Sequence, residues 1–183
     1  DYSRPSVFEL SRVWSDLPYL LIGIPLAMGL TFGAFGLGTI MALPMAVVRM
    51  ARPPVINAVV VGWIEVFRTT PPLVHIMWAY YVLPMVIDLR LSAVTVVIVA
   101  LGANASAQMA EIFRAGLQSI PRGQTEAAKV LGLSPWARLR YVILPQAVRL
   151  IMAPSVNAFV SLLKESSLAA LIAVPELMNR GLT

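Results

Sequence analysis

Asn104, Gln108 and Glu111 are the only amide or ionisable side chains in the otherwise apolar run Leu91–Phe113. Asn104 and Gln108 are four residues apart, so a helix puts them on one face, and Glu111 falls near it one turn later. The chemistry open to such a strip is hydrogen bonding. It either lines a polar path through an apolar medium or bonds helices together, and the spacing leaves both open. His75 is the one histidine in the chain. A metal centre needs several ligands, and none cluster around it in the sequence. The serines and threonines come without a nucleophile motif. His75 therefore reads as a contact for a passing solute or as a bond to a neighbouring helix. Glu65 and Arg68, three apart, read as an ion pair on one helix face. The chain has no cysteine, which excludes disulfides and thiolate metal sites. It has no G-x-x-x-x-G-K-[ST] stretch, so it carries no phosphate-binding loop of that kind.

These residues must be positioned by helices in a bilayer. The chain is 58% hydrophobic and 13% charged, with a mean hydropathy of +0.79. Leu17–Val48 and Leu91–Ala110 carry no charge, and Thr69–Ile87 carries only His75. About 20 apolar helical residues cross a bilayer core. The expectation is an all-α, polytopic membrane protein forming one domain over 1–183. Four crossings are expected: within Leu17–Val48, over Pro71–Ile87, over about Leu91–Phe113, and around Ala147–Leu163. Val55–Phe67 is expected to lie at the membrane interface, because RTTPPL interrupts any helix there. Span 1 contains Gly23, Gly29, Gly33, Gly36 and Gly38, which read as packing positions. Ser166–Pro175 is apolar but too short to cross.

The net charge of +5 and the pI near 10.1 come from basic residues in short loops. That pattern fits membrane orientation rather than nucleic acid. Nine of the fourteen basic residues fall on one side, in two loops holding Arg49, Arg52 and Arg68 and then Arg114 through Arg149, which predicts a cytoplasmic loop at about 114–146 and the N-terminus outside. The first residues, DYSRPSVFELSRVWSD, do not read as a cleavable signal peptide.

One charged stretch interrupts the apolar chain: GQTEAAKVLGLSPWARLRYVILPQA, residues 123–147. Gln124–Leu131 has good helix formers, with Glu126 early and Lys129 late to suit the helix dipole. Gly132 sits where a helix end needs positive φ. Ser134-Pro135 reads as an N-cap followed by a first-turn proline. A second helix is expected through WARLRYVIL, stopping at Pro145. Local physics leaves two roles open for the first helix. It lies on the membrane, or its small apolar residues Ala127, Ala128 and Val130 dock into a protein groove.

The stretch resembles the EAA loop of ABC-importer permeases, in the form found in the polar amino-acid uptake family. WIEVFRTTPPLVH (63–75), AEIFRAGLQSIPRGQ (110–124) and SLLKESSLAALIAVPEL (161–177) resemble that family's other motifs in the same order. The resemblance implies a type I importer permease core, with a fifth crossing beyond Thr183. It implies two separate ATPase subunits that bind ATP and Mg²⁺, with no cofactor on this chain. It also implies a second permease subunit and an extracytoplasmic solute-binding protein in a bacterial inner membrane. Gly123, Gln124, Glu126, Ala127, Ala128, Gly132 and Leu133 would form the coupling contact with the ATPase. Asn104, Gln108, Glu111 and His75 would line the substrate path, and Lys164, Glu165 and Ser166 would sit at an outer gate. Thr69, His75 and Gln108 depart from the family's usual Gly, Gln and aromatic. The implied cargo is an amino acid, with an opine or compatible solute as the near alternative. An ion-gradient-driven secondary carrier is the rival of another class; it would want intramembrane carboxylates in several spans or an inverted repeat.

Overall fold

The computed structural model describes residues 10–88 and 91–169. Among the described residues the chain runs through six helices. α1 is Leu10–Ala51, and Pro25 and Pro44 do not interrupt it. Arg52 ends it in a left-handed conformation, φ 54°, and its N–H donates to the Val48 carbonyl. Pro53 bars a return to helical geometry at that residue. α2 is Pro54–Thr69, with proline in its first turn. α3 covers residues 72–87 and is α-helical over Pro72–Met77 and Leu83–Ile87, with a π turn over Trp78–Val82. α4 is Ala93–Gln118, capped by Ser92, whose Oγ accepts from the Thr95 N–H at 3.2 Å. α5 is Arg122–Val130. α6 is Pro135–Ser166, with a π turn at Leu139–Ile143.

α4 is the hub. It is 67% buried over its most apolar window, whereas α6 is 11% buried. α1 crosses α4 at Gly38 and Gly102. A Cβ on Gly38 would stand 2.6 Å from the Ala105 Cβ and 2.9 Å from the Gly102 carbonyl oxygen. The backbones touch there only because neither residue has a side chain. The packing role expected of the span 1 glycines thus holds for Gly38 and for Gly33 against Ile98, while Gly29 and Gly36 face open space.

Two expectations need correction. Val55–Phe67 is not an interfacial helix. Ile64 packs with Ala107, Met109 and Ala110 of α4, and Trp63 Nε1–H donates to the fully buried Ser106 Oγ at 3.1 Å. Ile76 of α3 packs with Ala93, Val97 and Leu101 at the other end of α4. α2 and α3 therefore form one crossing, broken at Thr70-Pro71 midway along α4. Internal hydrogen bonding of the break, described below, lets irregular backbone sit at that depth. The second correction concerns Pro145. The helix that begins at Pro135 does not stop there but continues to Ser166. A proline clashes with the carbonyl four residues back, and the wider π turn just before Pro145 relieves the clash. The same device precedes Pro84 in α3.

Among the described residues, Ile24–Ala51, α4 and α6 are long and apolar enough to cross a membrane. The broken α2–α3 unit supplies the fourth pass. Residues 170–175, with Pro175, lie outside the described residues, as do Arg4 and Arg180.

Candidate functional site

The polar strip begins with a backbone defect. Thr70 closes α2 by donating to the Val66 carbonyl at 3.2 Å. The next donor would be Pro71, which has no N–H, so the Phe67 carbonyl loses its helical partner. Asn104 Nδ2–H fills that gap at 2.6 Å. Gln108 Nε2–H in turn donates to Asn104 Oδ1 at 2.8 Å. Asn104 is 2% exposed. Its observed role is to satisfy the break, and the interhelical reading of this residue is the one realised.

One turn further, Glu111 sits in a clamp. Its Oε1 accepts from Arg49 Nε at 3.1 Å, and its Oε2 accepts from Arg114 Nε at 2.9 Å and Nη2 at 2.6 Å. Arg114 also donates to Gln118, and Arg49 to Asn57 of α2. One carboxylate thereby ties the end of α1 and the start of α2 to α4. The one expected ion pair is absent: Glu65 and Arg68 do not pair, and both are exposed.

Gln108 and Glu111 open into a cleft of about 850 Å³ between α2, α4 and α6, together with Arg68, Arg114, Ser119 and Pro154. Asn104 lies beneath it. His75 does not line it. Its ring stacks on Phe67 at 4.5 Å, and both ring nitrogens are enclosed without a hydrogen-bond partner among the described residues. At the far end of α6 the three candidate gate residues diverge. Lys164 is exposed, Glu165 is half-buried, and Ser166 is buried with its hydroxyl on the Leu163 carbonyl at 2.7 Å. Sequence reasoning missed Arg68 and Arg114 as cleft residues. Arg68 left a signal, a cation beside two helix-breaking prolines.

The α5 loop is a rigid joint. Gly132 takes φ +71°, as expected. The Leu133 N–H donates to the Ala128 carbonyl at 3.1 Å and the Gly132 N–H to the Lys129 carbonyl at 2.9 Å, the paired bonds of a Schellman ending. Ser134 Oγ accepts from the Ala137 N–H at 3.2 Å and starts α6, also as expected. α5 itself begins at Arg122, so Glu126 lies outside its first turn, while Lys129 is in its last. Gln146 Nε2–H reaches Gln124 Oε1 at 3.4 Å, a weak tie between α5 and α6. Ala128 is buried against the body, Leu133 is half-buried, and Gly123, Gln124, Glu126 and Ala127 are exposed. Val130, one of the small residues expected to suit docking, is 89% exposed, and two larger apolar side chains not singled out in the sequence stand in the open beside it, Leu131 at 78% and Trp136 at 66%. A helix that places Val130 and Leu131 in the open offers a contact face.

Comparisons with known proteins agree with this architecture. Residues 34–182 match the family described as binding-protein-dependent transport system inner membrane component. The chain is 35% identical over 175 residues to the glutamine transport system permease protein GlnP of Escherichia coli K12, covering 95% of this chain and 80% of that one. It is 35% identical over 178 residues to the octopine transport system permease protein OccM of Rhizobium radiobacter, covering 93% and 73%. The crystal structure of an amino acid ABC transporter with histidines superposes with a TM-score of 0.82 at 37% identity, covering 92% of this chain and 78% of that one. With its α5 joint and its hub helix, this chain belongs to the inner membrane components of binding-protein-dependent transport systems.

Proposed function

We propose that the chain is the permease subunit of an ATP-driven importer of amino acids. The observation that carries this reading is the joint at α5: a short, hydrogen-bonded helix fixed to α6 by Gly132 and Ser134, presenting Glu126, Ala127, Val130 and Leu131 outward. Such a lever transmits movement in both directions because the paired bonds from Gly132 and Leu133 and the Ser134 cap hold its turn. In this reading α5 seats in a groove of a cytoplasmic ATPase subunit that binds ATP and Mg²⁺. Ala128 anchors the helix to the permease, and the exposed face meets the ATPase. Two ATPase subunits and a second permease subunit complete the membrane complex, with a binding protein delivering cargo from outside. Closure of the ATPase pair draws the two α5 helices together and opens the path outward; hydrolysis resets it inward. The N-terminus lies outside, by the loop charges.

The amino-acid cargo follows from the similarity to the glutamine permease and to the amino acid transporter. The octopine permease, at the same identity, favours an opine as the second cargo. Reconstitution with ATPase and binding protein tests the reading: Glu126→Lys or Gly132→Trp abolishes ATP-dependent uptake. Undiminished uptake in both variants refutes the α5 assignment. Gly123→Cys reacts with an impermeant thiol reagent in inverted vesicles only; reaction in intact cells refutes the orientation.

A further inference from the structure

We infer that Arg68 is the cleft's anion anchor and receives the carboxylate of the solute passing through it. This rests on the importer reading above and adds to it a residue that sorts cargo by charge. Arg68 follows Phe67, whose carbonyl bonds Asn104 close to the middle of the 26-residue α4. A guanidinium at that depth is costly unless it meets water or a counter-charge. Arg68 makes no hydrogen bond or ion pair among the described residues, yet it lines the polar cleft. The one carboxylate in the cleft wall is Glu111, and Arg49 and Arg114 already hold both of its oxygens. The lining cations Arg68 and Arg114 therefore exceed the lining anions, and Arg68 is the uncommitted one. A guanidinium presents a planar fork that matches a carboxylate. Its place in the last turn of α2 also complements the helix dipole, but that use leaves the fork free.

The chain's lack of cysteine makes the test direct. A thiol placed by Ala115→Cys reports on the cleft wall. In the purified complex it should react faster with an anionic than with a cationic methanethiosulfonate. Arg68→Gln should lower that ratio about five-fold, as removal of a nearby unit charge requires, and Arg68→Lys should keep most of it. An unchanged ratio overturns the proposal. Reconstituted uptake gives the second readout. Arg68→Gln should cut L-glutamine uptake at least about ten-fold while binding-protein-stimulated ATP hydrolysis persists. Uptake within about two-fold of wild type overturns the anchor. Recovery of uptake in Arg68→Glu on adding Glu65→Arg also overturns it, by assigning Arg68 to an ion pair between permease subunits. If wild type shows no ATP-dependent uptake of any common amino acid, the importer reading fails. The labelling ratio then still decides whether Arg68 draws anions into the cleft.

Discussion

Asn104 shows how one side chain makes a broken helix tolerable in a membrane. Its amide replaces the N–H that Pro71 lacks, so the Phe67 carbonyl is not left bare. Asn104→Leu keeps the shape and removes both bonds. It should cost about 1–2 kcal/mol and lower the detergent melting temperature by about 3–6 °C; an unchanged melting temperature contradicts the role. Glu111→Gln leaves Arg49 and Arg114 without their shared carboxylate. The expected loss is about 2 kcal/mol, or about 4–8 °C in the same measurement. Asn104 and Gln108 were legible as a pair because four residues make one helix face. Their target was not, because the Phe67 carbonyl is backbone and lies 37 residues away. The Arg49–Glu111 bond spans 62 residues and left no local trace.

At the scale of elements, whatever local chemistry decides was legible and whatever packing decides was not. The Gly132 turn and the Ser134 cap follow from residues within one turn of each other. The depth of α2 depends on α4, so an apolar helix ahead of two prolines looked interfacial. Pro145 looked like a stop because a proline clash has two resolutions, and sequence does not distinguish a break from a π turn. The α1–α4 crossing gives a paired prediction. Gly38→Ala puts a methyl into the Ala105 side chain and the Gly102 carbonyl and should destabilise by about 1–3 kcal/mol. Gly36→Ala, with nothing within 4 Å, should leave melting unchanged or slightly raised. Equal melting of the two variants contradicts the close approach.

For the whole molecule, α1, the α2–α3 unit and α6 pack around one hub, α4, and the polar groups gather on the α2–α4–α6 side and at the α5 end. The exposed apolar surface of the isolated chain is what lipid and partner subunits would cover. The count of basic residues by loop changes in one respect, since Arg68 sits at mid-depth rather than in a loop. The remaining excess on the α5 side is what the proposed orientation rests on. The proposed function turns on α5 joining this chain to an ATPase. The most direct measurement is a mild-detergent pull-down of the tagged full chain from its native membrane, with mass spectrometry of its partners. Wild type should recover an ATPase subunit, and Leu131→Glu should lose it while still inserting and melting as wild type does. Reproducible recovery of the intact chain without any ATPase, or undiminished recovery with Leu131→Glu, would contradict the proposed function.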